Sequence, residues 1–302
     1  MKTMVIAGGT GFLGKSLSTY FVEQGYKIII LSRTHHLDTA NIQYVKWDAE
    51  NLGSWTTALE KASVLINLNG KSVDCRYTPE NKQKIYDTRI NATHILQKAC
   101  KQLKHPPALW INAASATIYR HATDRAMDEQ TGELGTGFSV DVCKKWEQSF
   151  FQEQHPKIRK VALRIAIVFG KKGGALAPLK QLVKKGLGGK QGSGMQYVSW
   201  LHEKDLARII DFVIQHKDTA GVYNAAAPTP VQNISFMKKL RKLYRIPFGL
   251  ALPTFALKIG AWLIQTETEL ILKSRRVVPT RLLKEGFRFE YPTIEETLYS
   301  LK

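Results

Sequence analysis

The segment MVIAGGTGFLG, residues 4–14, decides the fold of this chain. An apolar run, Met4 to Ala7, precedes glycines at positions 8, 11 and 14 and an amphipathic stretch that starts near Phe12. Glycine permits positive φ and close approach of the backbone to a ligand. A helix N-terminus adds unpaired N–H groups and partial positive charge. The segment therefore predicts a strand, a turn and a helix that cradle a dinucleotide pyrophosphate. The residues expected at the cofactor are Gly8, Thr10, Gly11, Phe12, Leu13 and Gly14.

The net charge of the chain is strongly positive. Its 302 residues include 44 Lys and Arg against 25 Asp and Glu, a formal charge of +19. Clustered basic residues would indicate nucleic acid or an anionic membrane surface as a partner. Here they are scattered, and the densest groups, Lys238 to Arg245 and Lys273 to Arg276, fall on predicted helices. We interpret both as solvated faces and expect no nucleic-acid partner.

Cysteine usage and the N-terminus bear on the compartment. Cys75, Cys100 and Cys143 are odd in number and lack C-x-x-C spacing, which argues against a disulfide framework or a zinc site. No metal site is expected, and a reducing cytoplasm fits best. The chain opens directly into a strand, so no signal peptide is predicted.

Ile246 to Gln265 is the one membrane candidate, but it contains two prolines and Lys258, which favours a buried or groove-forming helix.

Apolar strands alternate with helical segments along the first two thirds of the chain. A good helix start, with Thr78 as cap and Pro79 after it, separates two of these strands. The pattern predicts an α/β fold with a doubly wound parallel Rossmann sheet. A smaller, mainly helical C-terminal lobe follows, which divides the chain into residues 1–235 and 236–302. The predicted strands after Ala7 are Lys27 to Leu31, Ile42 to Trp47, Val64 to Leu68, Leu109 to Ala114 and Val161 to Phe169.

Parallel strands in such sheets present their carboxyl ends to the ligand. The second strand ends in Ser32 and Arg33, where a carboxylate would be needed to bind a free ribose 2′-hydroxyl. Arginine suits a 2′-phosphate instead, so NADP(H) is the predicted cofactor; an exposed surface arginine is the alternative. Asp48, at the end of the third strand, is expected near adenine, and Leu68-Asn69-Gly70 beneath the middle of the cofactor.

Further motifs resemble one family. The sequence is similar to atypical extended short-chain dehydrogenase/reductases of the sugar-nucleotide epimerase-like group, across nearly its whole length. The resemblance implies an NAD(P)-binding epimerase/dehydratase domain with substrate-side loops from about residue 170, a distinctive C-terminal lobe, and Arg89 at the cofactor. The motifs that carry it are Asn67-Leu68-Asn69-Gly70, Arg76 to Arg89 (RYTPENKQKIYDTR), Gly173-Gly174-Ala175-Leu176, Ser199-Trp200-Leu201-His202, Pro279 to Leu283 and Gly286 to Phe289.

The catalytic pattern of that family is incomplete here. Its members use a Tyr-x-x-x-Lys pair, in which lysine lowers the tyrosine pKa and the phenolate accepts a substrate proton. Aligned on Trp146-Glu147, the tyrosine position falls on Ser139 and the lysine position on Cys143. Lys144 would point about 100° away on the same helix. Ser115 matches the family's catalytic serine; a strand-end cap is its alternative role.

Other candidate site residues follow from the same resemblance. Tyr119 is expected to border the nicotinamide as an acid or base, or else only to shape the pocket. Trp200 and His202 are expected to contact substrate; a histidine that only packs and hydrogen-bonds is the alternative. Arg164 is expected at an anion, on the cofactor or, together with Arg76, on the substrate. Internal carboxylate pairing is the competing interpretation for both arginines.

Three functional hypotheses follow. The first is an NADP-dependent oxidoreductase or epimerase that acts on a small molecule, a nucleotide-sugar-like or other polar carbonyl substrate. The second is an NADPH-binding module without turnover that acts through a protein partner, as the link of some relatives to cell division suggests. The third, nucleic-acid binding, depends on charge alone. A homodimer is compatible with the first two, and the sequence leaves turnover open.

Overall fold

A computed structural model describes residues 2–263 and 267–302 of the chain. The strands are β1 (Lys2–Ala7), β2 (Tyr26–Ser32), β3 (Ile42–Lys46), β4 (Val64–Asn67), β5 (Leu109–Ser115), β6 (Arg159–Ile165), β7 (Ile167–Gly170), β8 (Gly173–Gly174), β9 (Tyr197–Val198), β10 (Trp200–His202), β11 (Gly221–Ala225) and β12 (Val231–Gln232). The helices are α1 (Phe12–Glu23), α2 (Pro79–Gln102), α3 (Phe138–Phe151), α4 (Leu176–Lys184), α5 (Glu203–Gln215), α6 (Asn233–Leu243), α7 (Thr254–Leu263), α8 (Glu269–Leu272), α9 (Thr280–Lys284) and α10 (Ile294–Ser300).

The central sheet has the order β3-β2-β1-β4-β5-β6-β11, seven strands within the described residues. Every neighbouring pair is parallel. The chain moves outward from β1 to β3, then returns to the other side of β1 with β4. This reversal opens a crevice at the carboxyl ends of β1, β4 and β5, the place where doubly wound sheets bind ligands. The predicted Rossmann-type fold is confirmed.

The strands are apolar on both faces because helices cover both faces of the sheet. Met4 and Ile6 point into a core that α1 and α5 complete, with Leu17, Phe21 and Ile209 fully buried. The alternate residues Val5 and Ala7 point into the opposite core, under α2 and α3. Thr78 caps α2 as predicted, since its side chain accepts a hydrogen bond from the Asn81 N–H.

The predicted strand from Val161 to Phe169 is wrong as a single element. The chain leaves the main sheet at Ala166, whose N–H donates to the Ala225 carbonyl at 3.0 Å. β7 then pairs with β10 and β8 in a separate sheet, three-stranded within the described residues. An unbroken apolar run cannot reveal this division, because both halves are buried and only their pairing partners differ.

The C-terminal segment shares cores with the Rossmann part. Phe236 and Leu240 of α6 pack with Ile294 and Leu298 of α10 against Phe169 and Leu176. Leu282 and Phe287 enter the core of the main sheet. The buried Asp205 carboxylate of α5 accepts the N–H groups of Glu290 and Tyr291, each at 2.9 Å. The division at residues 235 and 236 falls inside α6 and stays a prediction.

Two predictions for basic and apolar segments have mixed outcomes. Lys238 to Arg245 lies largely on α6, as predicted. Lys273 to Arg276 lies between α8 and α9 instead of on a helix, and Ser274 and Arg275 are buried, so a solvated face is wrong there. In the membrane candidate, α7 covers Thr254–Leu263, while residues 264 and 265 are outside the described ranges. No helix in the described part of the chain combines the length and apolar character needed to cross a membrane.

His202 is a structural residue at the start of α5. Its Nδ1 accepts the Lys204 N–H at 3.0 Å, which leaves the ring proton on Nε2, 3.1 Å from the Ser300 Oγ of α10. The ring stacks on Tyr291, with 3.8 Å between centroids. Burial lowers the pKa of His202 from 6.5 to about 4.

We predict that His202 makes stability fall as pH drops. The unfolded chain takes up a proton near pH 6.5, whereas the folded protein resists it until about pH 4. Protons therefore favour the unfolded state across this window, by up to about 3 kcal/mol at its acid end. Denaturant unfolding from pH 7 to 4 should show this loss in the wild type, and His202→Asn, which can still cap the helix, should reduce it. His216→Asn at the exposed end of α5 is the control; equal slopes in all three proteins would contradict this role.

Candidate functional site

The glycine turn after β1 is tightly packed on its protein side and open on its crevice side. Gly8 has φ +73°, and a Cβ there would lie 2.8 Å from the Asn69 Cα. A Cβ at Gly14 would overlap the backbone of Gly9. At Gly11, by contrast, a Cβ would meet no atom within 4 Å among the described residues. The turn thus requires glycine for packing at 8 and 14 and presents bare backbone to the crevice at 11.

The N-terminus of α1 is built to receive an anion. Gly11 is the cap residue and supplies no side-chain acceptor, and the first turn contains no acidic residue. Among the described residues, the first N–H groups of the helix have no side-chain partner; they face the crevice with the positive end of the helix dipole behind them. The Phe12 ring packs on Gly170 and Gly173, so this residue can contact a ligand mainly through its backbone.

The end of β4 forms the next wall of the crevice. The Asn69 side chain donates to the Thr88 carbonyl of α2 at 2.7 Å, and its N–H donates to the Asn67 Oδ1 at 3.1 Å. Gly70 lies against Arg89 of α2, because a Cβ there would be 2.9 Å from the guanidinium carbon. The Leu68-Asn69-Gly70 loop is thus held to α2, and its backbone is the part that remains for a ligand.

A cleft of about 400 Å³ lies beyond the ends of β2 and β3. Arg33 is exposed at its edge, and Lys46 adds a second cation that the sequence analysis did not identify. The buried Ser32 accepts the Thr34 N–H through its Oγ at 3.2 Å. We call this space the Arg33 cleft; it is lined by Arg33, Lys46, Trp47, Asp48, Asn51, Leu52, Gly53, Ser54 and Trp55.

Asp48 shapes the floor of the Arg33 cleft. Its carboxylate accepts the N–H groups of Glu50 and Asn51, each at 2.9 Å, and the Asn51 side-chain amide at 2.8 Å. These hydrogen bonds, those from Asn51 first, lower the pKa of Asp48 to about 2. The group is therefore ionised at neutral pH, and its main work is to hold the loop from Asp48 to Asn51.

Arg164 is not available to a cofactor or substrate, which corrects the prediction for it. Its Nε and Nη2 each donate to a different Glu147 carboxylate oxygen at 2.8 Å, and its Nη1 donates to the Tyr119 hydroxyl at 2.8 Å. This is the internal carboxylate pairing named as the alternative. The pair is buried, since Glu147 is 9% and Arg164 8% exposed.

The predictions for Tyr119, Trp200 and His202 are also corrected. Tyr119 is fully buried, and its hydroxyl donates to the Asn224 Oδ1 at 2.9 Å, so it cannot reach a substrate proton. Burial is the main cause that raises the Tyr119 pKa. Trp200 is fully buried, with its indole N–H on the Thr229 carbonyl. His202 is the cap of α5 described above. All three shape the protein instead of contacting a ligand.

Ser115 lies at the end of β5, on the crevice. Its Oγ accepts the Thr117 N–H at 3.2 Å, which is the predicted capping role. In the part of the chain that the structure describes, the hydroxyl proton has no acceptor, so the same group can donate to a ligand. The capping role and contact with a substrate oxygen are therefore compatible.

The positions of the missing Tyr-Lys pair face the same region. Ser139 is buried, and its Oγ donates to Glu269 Oε1. Cys143 lies one turn later, with its Sγ 3.0 Å from the Ser139 carbonyl. Burial raises the pKa of the Cys143 thiol to about 11, so it stays neutral at pH 7. Lys144 donates to the Gly135 carbonyl at 2.8 Å and does not replace the lysine.

The C-terminal segment adds site residues that the sequence analysis missed. Lys273 approaches the Thr117 carbonyl at 3.4 Å, next to Ser115, and Arg275 is buried nearby. The basic run from Lys273 to Arg276 was the available signal. Arg76 is half-buried near the same region, and its carbonyl accepts the Asn81 side chain at 2.8 Å.

The fold has close counterparts among solved structures. The human epimerase family protein SDR39U1 (isoform 2), solved with NADPH, superposes with a TM-score of 0.88 at 23% identity and covers 99% of this chain and 98% of that one. MoeE5, solved with UDP-glucuronic acid and NAD, superposes with a TM-score of 0.78 at 18% identity, covering 98% and 96%. At these identities the likeness shows the fold.

Sequence comparison assigns the family. Epimerase family protein YfhF of Bacillus subtilis is 32% identical over 300 residues, 99% of this chain and 97% of that protein. Epimerase family protein ML0860 of Mycobacterium leprae is 30% identical over 297 residues, covering 98% and 94%. Residues 252–301 match a domain of unknown function, DUF1731. Residues 4–226 match the NAD dependent epimerase/dehydratase family, and the chain belongs to that family.

Proposed function

We propose that the protein binds NADP(H) in the crevice and acts as an epimerase or oxidoreductase on a small polar carbonyl compound of the nucleotide-sugar type. The observation that carries the proposal is the open glycine cradle at the uncapped N-terminus of α1. Bare backbone at Gly11 and free N–H groups fit a pyrophosphate. The NADPH and NAD in the two solved neighbours support the same cofactor class.

Different residues around the crevice would bind different parts of the cofactor. The N–H groups of Phe12 and Leu13 would hold the pyrophosphate, and the Leu68-Asn69-Gly70 backbone would lie under its middle. Arg89, packed against Gly70, would reach the same part. Bound nicotinamide supplies hydride transfer. The protein's own contribution is to orient that ring towards Ser115.

The Arg33 cleft suits a phosphorylated ribose. Arg33 and Lys46 provide two cations at its edge, and no carboxylate stands at position 32 or 33 to accept a ribose 2′-hydroxyl. A planar guanidinium can bind a phosphate through two hydrogen bonds and stack on adenine. Asp48 is present in the cleft, but backbone and side-chain donors already occupy its carboxylate. We therefore assign NADP(H) over NAD(H).

A non-catalytic NADPH-binding module that acts through a protein partner is the second candidate. Ser139 and the neutral Cys143 cannot serve as base and proton carrier, which is the observation that favours it. Catalysis, where it occurs, would depend on the Ser115 hydroxyl stabilising charge on a substrate oxygen.

The domain organisation and compartment are proposed as follows. Residues 1–235 form the NAD(P)-binding domain and residues 236–302 the C-terminal lobe; the two family matches leave the boundary between 226 and 252. The free thiols of Cys75, Cys100 and Cys143 suit the cytoplasm. A homodimer remains part of the proposal.

We predict that Gly11→Val abolishes dinucleotide binding without unfolding the protein. The valine side chain would occupy the open space that the pyrophosphate needs, and its Cβ would meet no atom within 4 Å among the described residues. Binding is measured by titration of NADPH, and folding by thermal unfolding. Thr19→Val, on the exposed side of the same helix, should bind as the wild type does. Unchanged affinity in folded Gly11→Val would overturn the assignment of this turn.

We predict that the wild type prefers NADPH to NADH by about tenfold or more, since one charge-assisted hydrogen bond contributes roughly 1.5–3 kcal/mol. Arg33→Asp should lose this preference. Lys27→Asp, an equal change of charge at the exposed amino end of β2, should retain it. The measurement is the dissociation constants of NADPH and NADH for the wild type and for Arg33→Asp. Equal affinities for the two cofactors in the wild type would refute the assignment.

We predict that Ser115→Ala slows any turnover by about tenfold or more, while Cys143→Ala leaves it unchanged. The assay follows the redox state of bound nicotinamide after addition of candidate UDP-sugars. Full activity in Ser115→Ala together with loss in Cys143→Ala would reverse the roles. An intact NADPH complex that never changes redox state would favour the binding module.

A further inference from the structure

Arg275 is a buried guanidinium with two unpaired donor nitrogens in the described part of the chain. The residue is 6% exposed, and its Nε and Nη2 have no hydrogen-bond partner within the described residues. Its backbone is held firmly, because its N–H donates to the Tyr197 carbonyl at 2.9 Å and its carbonyl accepts the Ser199 hydroxyl at 2.6 Å. A buried charge that lacks hydrogen bonds is costly for the fold alone. The fixed backbone presents this charge in one place.

Lys273 lies close to Arg275, and Arg89 shares the neighbours Cys143 and Tyr77 with it. Lys273 has its Nζ 3.3 Å from Glu269 Oε1, and its side chain is 10% exposed. Arg89 of α2 donates to the carbonyl of Ile85 in its own helix at 3.0 Å. All three cations bear on the Cys143 thiol, where each opposes the rise in its pKa. We call Lys273 and Arg275 the cationic cluster.

The carboxylates nearby do not balance this cluster. Glu269 is the carboxylate that acts on both Lys273 and Arg275, and it also accepts the Ser139 hydroxyl. Glu147 is taken up by Arg164. Burial lowers the pKa of each cation of the cluster, the sign of incomplete compensation. Glu267 is also close, where its Oε1 accepts the Tyr77 N–H at 2.9 Å. In the described part of the chain, Lys273 and Arg275 therefore share Glu269 as their acting carboxylate.

The cluster borders the crevice at its catalytic end. Lys273 approaches the carbonyl of Thr117, which lies within the turn that Ser115 caps. Ser139 and Cys143 hold the places of the missing pair beside it. The hydroxyl of Tyr77 is buried here without a hydrogen-bond partner in the described residues, a second polar group left for a ligand. The cradle for the pyrophosphate lies at the other end, at the start of α1.

We propose that Arg275, assisted by Lys273, binds a carboxylate or phosphate group of the substrate next to its reacting carbon. A guanidinium with free donors matches either oxyanion. The proposal rests on the proposed function in placing the nicotinamide at this end of the crevice. It assigns the DUF1731 segment a role in substrate recognition, because Lys273 and Arg275 both come from it.

Inorganic phosphate in a chloride buffer is the probe, titrated calorimetrically into the full-length protein with and without saturating NADPH. We expect the wild type to bind phosphate in both states and Arg275→Met to bind it at least tenfold more weakly. Arg276→Met, which removes the adjacent half-buried cation, is the matched control and should bind normally. Equal phosphate affinity in wild type and Arg275→Met would overturn the proposal.

The phosphate titration in saturating NADPH distinguishes a site for a substrate anion from a site for the cofactor's own phosphates. Loss of phosphate binding in the NADPH-saturated wild type would assign the cluster to the cofactor's own phosphates and refute a substrate site. Failure of NADPH to bind the wild type would instead overturn the proposed function, while the phosphate titration of the free protein still tests the cluster.

Stability gives an independent readout. Removal of an uncompensated buried charge should leave the melting temperature of Arg275→Met in phosphate-free buffer equal to or above that of the wild type. Phosphate should raise the melting temperature of the wild type but not of the variant. If Arg275→Met does not fold, Lys273→Met is the second variant. A folded Lys273→Met that binds phosphate at least fivefold more weakly than the wild type would support the proposal. If its phosphate affinity is unchanged, the Arg275 charge is structural and the proposal is refuted.

Discussion

Backbone-to-backbone contact at the turn after β1 is the constraint on which the rest of the structure depends. Gly14 lies against the Gly9 backbone, and Gly8 against Asn69, at distances that exclude a side chain. These contacts bring the start of α1 onto the ends of β1 and β4, so that its free N–H groups face the crevice. The switch in strand order at β1 places that crevice at the carboxyl ends of the parallel strands. Ser32 at the end of β2, Asp48 after β3 and Ser115 at the end of β5 then border it because the sheet carries them there.

Two buried arginines show how the same side chain can serve folding or binding. Arg164 in β6 is matched by both oxygens of Glu147 and by Tyr119, which compensates the loss of hydration. Arg275 has a fixed backbone, but its Nε and Nη2 have no hydrogen-bond partner among the described residues. The paired charge of Arg164 holds α3 to the sheet. An unpaired buried charge such as that of Arg275 lowers the stability of the fold unless an anion binds to it. Because the two arginines differ in their hydrogen-bond partners, we assign Arg275 to ligand recognition.

The C-terminal segment is part of the site and not an appendage. Asp205 and His202 of the Rossmann part bind the backbone and side chains of residues 290–300, and α9 enters the main core. With the following segment anchored in this way, the stretch from Glu269 to Arg275 is positioned beside Ser115 and Ser139. Loops above a rigid sheet can then vary their chemistry without disturbing the sheet that carries the cofactor cradle.

The sequence by itself determined the strand–glycine–helix unit, the parallel sheet, most strand positions, and the absence of the Tyr-Lys pair at Ser139 and Cys143. Each of these depends on local periodicity, glycine spacing or residue identity. Only the tertiary structure decided that Val161 to Phe169 divides between two sheets, that Arg164, Tyr119, Trp200 and His202 turn inward, and that Lys273 and Arg275 join the crevice. The reason is physical: a polar side chain has the same local signature whether its partner is Glu147 or a ligand. Its role is set by groups that lie many residues away along the chain, and these meet only when the chain folds.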